Sequence, residues 1–228
     1  MFDLLLYGVW PYVAFALAIS GGLYRYYRDR FSYSSFSSQL LEGQQLFWGS
    51  VPWHYGIAIL LIGHLIGLAI PGGVAAFNGL PLRLYILEIA ASGLGLFALL
   101  GIVMLIARRM SVPAARAVTS RMDAVLLALL LFQVLAGLYT ALFQRWGSWW
   151  YLSNAVPYLS SLLRLNPDVQ YAATLPLITQ LHTINAFLLV AIFPFSRLVH
   201  IFTIPVTYLW RPYQTVIWNL RAREDRKG

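Results

Sequence analysis

The sequence predicts an all-α integral membrane bundle of five transmembrane helices, a single domain over residues 1–228. Three observations carry this reading. Of the 228 residues 60% are hydrophobic and 11% charged, against about 25% charged in a soluble domain. The mean hydropathy is +0.69. Five apolar runs, each near the roughly 20 residues that cross a bilayer, are joined by stretches too short to form a second globular domain.

The first span covers about 4–23, with Asp3 in front and Arg25, Arg28 and Arg30 behind. A signal peptide places its positive charge before a short apolar core, so this run reads as a retained helix. Residues 31–48 are polar and Ser-rich, an inner loop or surface helix. The second span, about 50–70, stops at Pro71-Gly72-Gly73, and a short outer loop follows. The third span, about 82–107, closes on Arg108-Arg109. The loop SVPAARAVTSR leads to the fourth, about 123–143. Residues 144–175 are mixed, and Trp146, Trp149, Trp150 and Tyr151 cluster as an interfacial aromatic belt would. The fifth span is about 177–204, followed by a basic tail.

Charge orients these spans. Thirteen of the 16 Lys and Arg residues fall on the side of Arg25, Arg108 and the tail, and three (Arg83, Arg145, Arg164) on the other. The positive-inside rule then predicts an extracytoplasmic N-terminus and a cytoplasmic C-terminus in the cell membrane. In a soluble protein a net charge of +8 would suggest nucleic acid. Here it follows from topology, and the expected partner is the lipid bilayer, with no nucleic acid. The chain has no cysteine, which excludes disulfides, Cys-ligated iron–sulfur clusters and thioether-linked haem.

All four histidines, His54, His64, His182 and His200, lie inside predicted spans. Ionisable side chains are costly in a bilayer and rarely kept there without a role. His54 and His64 are ten residues apart, 80° short of three turns and about 15 Å of rise. His182 and His200 are eighteen apart, five whole turns and about 27 Å. Each pair therefore projects from one side of its helix at two depths. Because the second and fifth spans are antiparallel, His54 pairs with His200 near the inner face and His64 with His182 nearer the outer face. Two stacked bis-histidine sites suit two b-type haems, whereas mononuclear zinc or copper wants three or four ligands together. The mismatch between 15 and 27 Å calls for tilt and a kink at Pro194.

Gly56, Gly63 and Gly67 flank these histidines on the second span. The GxxxG of Gly63 and Gly67 suits either close helix packing or a smooth surface for a porphyrin plane. Arg197, one turn before His200, together with Arg108 and Arg109, suits haem propionates. Arg108 and Arg109 equally suit plain positive-inside anchoring.

The stretches SSQLLEGQQLFWGSVPWHYGIAILLIGHLIGLAIP and LHTINAFLLVAIFPFSRLVHIFTIPVTYLWRPYQ resemble the gamma subunit of membrane-bound respiratory nitrate reductase, a di-haem cytochrome b. FPFSRLVHIFTIPVTYL is the most specific run, and the resemblance covers nearly the whole chain. It implies a subunit that oxidises quinol and passes electrons through two b haems to an iron–sulfur beta subunit, then to a molybdenum-containing alpha subunit that reduces nitrate. It also implies that the family's ligands fall on His54 and His200 for the inner haem and on His64 and His182 for the outer. Relatives often carry a lysine at the opening of the third span, where this chain has Leu82-Arg83-Leu84-Tyr85.

Quinol oxidation conserves energy best if protons leave on the outer side. The quinol site is therefore expected beside the outer haem, near His64, Gly67 and the start of the third span. Tyr85 and Arg83 sit at that depth, as a quinol contact or as interfacial anchors. Glu88, one turn below Tyr85, is placed to take a proton. The inner loops and the tail from Arg211 to Gly228 are the expected docking surface. Two alternatives are a haem b subunit of a sulfite-reductase-linked or heterodisulfide-reductase-like complex, and a haem-free anchor or transporter. A transporter would want paired discontinuous helices, which the sequence does not suggest.

Overall fold

The computed structural model describes residues 1–28, 44–144 and 147–203, which contain helices and no strand. In chain order the elements are α1 (Leu4–Arg28, beginning with a π-helical stretch, Leu4–Val9), α2 (Gln44–Ala69), α3 (Pro71–Asn78) and α4 (Pro81–Ser111). Next come α5 (Pro113–Ala117), α6 (Arg121–Phe143) and α7 (Gly147–Trp150), which continues into a π-helical turn, Tyr151–Ala155. The chain then forms α8 (Val156–Leu163), α9 (Gln170–Ala173) and α10 (Leu177–Ile192). Two 3₁₀ segments follow, Phe193–Phe195 and Arg197–Thr203. Among the described residues five helices are long and apolar enough to cross a membrane. The Ser-rich stretch 29–43, Arg145, Trp146 and everything after Thr203, including the expected docking tail, lie outside the described residues.

The helix ends follow local chemistry. Proline stands at the first position of α3, α4 and α5, where its missing N–H costs no hydrogen bond. Pro71 therefore does not open a loop, as the sequence suggested, but starts α3. Ser120 caps α6: Asp123 N–H donates to its hydroxyl and Ser120 N–H donates to the Asp123 carboxylate, at 3.1 and 2.9 Å. The aromatic stretch after α6, without a motif in the sequence, is folded into α7, α8 and α9.

The spans pack as an open arc in the order α2, α4, α6, α10, α1. Two apolar cores result. One gathers Trp53, Ala98, Ile102, Val134 and Leu138 between α2, α4 and α6. The other gathers Tyr7, Ala14, Tyr158, Leu162, Ala172, Phe187 and Ala191 between α1, α10 and the short helices. In a bilayer apolar burial gives little net drive between helices, so close backbone approach carries more weight. Gly101 of α4 meets the backbone of Trp53 and Gly49. Gly56 of α2 faces Ala98 N and Leu94 O, each 2.9 Å from where a Cβ would stand. The small residues of α2 that make close helix packing are therefore Gly49 and Gly56. Gly63 has open space around it, and Gly67 receives the Tyr151 ring.

The fifth span departs from expectation. It is not one helix to residue 204: α10 ends at Ile192, and Ser196 is extended (φ −113°, ψ 178°). Pro194 is the cause, since it lacks the N–H for Val190 O and its ring crowds that carbonyl. The break is held from two sides. Arg25 of α1 donates to Pro194 O and Ser196 O at 2.6 and 3.1 Å, and Gly21 makes room for Pro194 and Phe195. On the other side Arg197 Nε donates to Asp123 Oδ1 at 2.7 Å, and Arg197 Nη2 donates to Val118 O. His200 thus comes off a short 3₁₀ segment fixed independently of α10. The 27 Å reach expected of a continuous helix does not apply.

Two expectations follow. Gly101→Ala should destabilise the purified chain by about 1–3 kcal/mol, the usual cost of overpacking. Gly93→Ala, with no atom within 4 Å of its Cβ position, should be neutral or slightly stabilising through helix propensity. Thermal melts of both variants in detergent read the contrast. Asp123→Ala removes a helix cap and the carboxylate that pairs with Arg197, a loss of about 2–3 kcal/mol. Asp123→Asn should lose less, because it keeps a cap acceptor.

Candidate functional site

The helices α2, which bears His54 and His64, and α10, which bears His182, share no broad packed interface among the described residues, and His200 follows on the 3₁₀ segment after α10. His54 and His200 have ring centroids 6.0 Å apart with planes at 78°. Of the two pairs read from the sequence, His54 and His200 stand ring against ring.

Each histidine makes the same hydrogen bond. Nδ1 of His54 lies 2.8 Å from Ser50 O, that of His64 2.7 Å from Leu60 O, and that of His200 2.6 Å from Arg197 O. Nδ1 of His182 lies 3.0 Å from Gln133 O, on the neighbouring α6. A carbonyl oxygen carries no proton, so each Nδ1 must donate. In a neutral imidazole this puts the lone pair on Nε2. The four rings share the tautomer that binds a metal through Nε2.

His182 is partly buried, unlike the exposed His54 and His64. Gly137 leaves it room: a Cβ there would stand 3.0 Å from its Cε1. Gln133 Nε2 donates to His182 Nε2 at 3.2 Å. Asn185 donates to Gln133 Oε1 at 2.6 Å and to Leu129 O at 3.0 Å. Further along the same seam Thr179 donates to Gln144 Oε1 and meets the Thr140 hydroxyl. The α6–α10 interface is therefore polar where the two apolar cores meet.

At the aromatic end, Tyr151 stands edge-on to His64, centroids 5.0 Å apart, and donates to His64 O at 2.7 Å. Burial pushes its hydroxyl up from the ordinary tyrosine range, so it stays protonated and donating. One turn earlier Ser148 holds Glu88: its N–H and hydroxyl both donate to Oε1, at 2.8 and 2.6 Å. Asn78 in turn donates to Ser148 Oγ, and its own buried Oδ1 has no hydrogen-bond partner among the described residues. Gly147 leaves space beside Glu88 Oε2. Tyr85 is exposed at the same end, and Arg83 lies over the Phe77 ring at 5.6 Å.

At the opposite end Arg197 and Arg109 converge on the buried Asp123, at 2.7 and 3.8 Å. Arg109 also donates to Thr119, and Arg108 is buried, 4% exposed. These arginines thus have protein roles whatever else they hold. Sequence reading passed over Gln133, Gly137, Asn185, Ser148, Asn78 and Asp123, and took Tyr151 as interfacial belt. The polar residues within α6 and α10 were the available signal, since polar groups in a span need partners. Nothing in the sequence tied Tyr151 to a histidine 87 positions away.

The chain matches the family model described as nitrate reductase gamma subunit over residues 3–219. It is 34% identical to the nitrate reductase gamma chain of Bacillus subtilis, over 96% of this chain and 98% of that one. It is 30% identical to the respiratory nitrate reductase 1 gamma chain of Escherichia coli, over 94% of this chain and 96% of the relative. The nitrate reductase-like protein NarX of Mycobacterium tuberculosis is 34% identical over 97% of this chain, which spans 34% of that longer protein. With five membrane-length helices and this agreement from end to end, the chain belongs to the nitrate reductase gamma subunit family.

Proposed function

We propose that the chain is the quinol-oxidising, di-haem b membrane subunit of a respiratory nitrate reductase, with one haem between His54 and His200 and the other between His64 and His182. The observation that carries this reading is the common tautomer of the four imidazoles, set by four Nδ1–H···O=C bonds. An Nδ1–H bond to a carbonyl is the usual support of a metal-bound histidine. The inner spacing fits as well. Imidazoles on opposite sides of one metal, each with a bond of about 2 Å, set their centroids roughly 6 Å apart; the observed value is 6.0 Å. Such haems supply one-electron transfer along the bundle axis.

The chain's own residues hold and orient. Gly63, with open space around it, leaves α2 smooth beside His64. Arg197, Arg109 and Arg108 make the His200 end cationic, which suits propionates there. The arginine-rich end faces the cytoplasm by the positive-inside rule, and electrons leave from it to an iron–sulfur beta subunit and a molybdenum-containing alpha subunit. With no cysteine in the chain, iron–sulfur centres held by thiolates belong to those partners. The relatives' names favour nitrate reduction over the sulfite-linked alternative.

Quinol binds at the opposite end, beside His64. Tyr151 orders α7 against His64, and the next turn of the same segment presents Ser148 to Glu88. Glu88 Oε1 is engaged by Ser148, which leaves Oε2 to take a quinol proton. Tyr85 and Arg83 line the approach from the membrane surface.

Visible spectra test the ligands. Replacing His54 or His200 by Ala should remove one b-type haem, and replacing His64 or His182 the other; full retention of both in any variant would remove that residue from the set. For the quinol site, Glu88→Gln and Tyr85→Phe should slow haem reduction by added quinol about tenfold or more, with both haems bound. Unchanged rates in both would place quinol oxidation elsewhere.

A further inference from the structure

Three histidines take their Nδ1 acceptor from their own helical segment, three or four residues back: Ser50, Leu60 and Arg197. His182 does not. Its ring crosses the interface to Gln133 O on α6, although a residue four positions back on α10 was equally near in sequence. Two features of α6 and α10 make the crossing stable. At Gly137, one helical turn beyond Gln133, the absent side chain leaves the carbonyl accessible; a Cβ would press within 3.0 Å of His182 Cε1 and 3.6 Å of Nδ1. In α10, Asn185 bridges back to α6 at Leu129 O and Gln133 Oε1. Its two bonds fix how α10 sits against α6, and with it the height of His182 over Gln133.

We propose that Gly137, Gln133 and Asn185 form a cradle on α6 and α10 that positions His182 and sets its donor strength, so that the outer haem is tuned through α6. The proposal rests on the haem reading above. An imidazole whose Nδ1–H donates to a carbonyl is a stronger electron donor to a metal on Nε2, and a stronger donor favours the oxidised metal. Displacing the ring from Gln133 O therefore weakens the ligand and raises the potential of the haem it serves. Gln133 Nε2 donates to His182 Nε2, a bond that a metal on Nε2 would replace. The main-chain bond at Nδ1 has no such conflict and persists. The Nδ1 acceptors of His54 and His200 are Ser50 O and Arg197 O, outside the cradle, so the inner haem is expected to keep its potential.

The test is a redox titration of both haems in the full chain in its native membrane, followed by absorption and electron paramagnetic resonance. Gly137→Ala pushes the His182 ring by a few tenths of an ångström, and Asn185→Leu removes the bridge without adding bulk beside the ring. Each should raise the midpoint potential of the outer haem and alter its low-spin signal, with the inner haem unchanged. Gly93→Ala should change neither. Loss of the outer haem alone in either variant also supports the cradle, since the ligand has then been displaced outright. An unmoved outer signal in both variants, or equal movement of both haems, would overturn it. Absence of any b-type spectrum from the unmutated chain would overturn the haem reading itself, and this proposal with it.

Discussion

The hydrogen bond from each histidine Nδ1 to a main-chain carbonyl is the constraint that orders the interior of this bundle. It decides which ring nitrogen carries the proton, and it fixes the orientation of each ring against a main-chain carbonyl. Such a bond is available only where a carbonyl can take a second partner. For His54 and His64 a helix supplies it at i−4, and for His200 a 3₁₀ turn supplies it at i−3. His182 obtains it by tertiary contact, which makes its site the one most dependent on how two helices meet.

The rest of the architecture serves to place those rings. Most large apolar side chains on the spans point outward, as expected of a surface facing lipid. The helices are held instead by glycine contacts between α2 and α4 and by a polar seam between α6 and α10. Interhelical hydrogen bonds in membranes average somewhat under about 1 kcal/mol each. Several along one seam, with close packing elsewhere, join two separate apolar cores. Among the described residues α2 and α10 share no broad interface, which leaves the arc open there.

Charge at the arginine-rich end does two things at once. A buried carboxylate unpaired would be expensive, and Asp123 is matched by Arg197 and Arg109 and capped into α6 by Ser120. The same ion pair secures the segment that carries His200. Arg25 grips the carbonyls on the other flank of the proline break. A proline that would only kink a continuous helix becomes the means of giving two histidines on one span separate supports.

By itself the sequence determined the all-helical class, the order and approximate place of five apolar spans, and the arginine asymmetry. All of these rest on properties that act locally or add up along a helix: apolar length, charge count, and the 100° step that sets which side a residue faces. The ends of the second and fifth spans were the weak points. Pro71 did stop the second span but opened a short helix where a loop was expected, and Pro194 broke the fifth span rather than kinking it, because the effect of a proline depends on what receives the carbonyls it frees. Tertiary structure alone decided that Tyr151 leans on His64, that Ser148 holds Glu88, and that Arg197 answers Asp123 74 positions away. It also decided that Gly56 packs helices while Gly63 does not, though both are glycines near a histidine on the same span. The sequence could not distinguish them because what a missing Cβ permits is a property of the facing helix, and chain packing alone brings that helix into place.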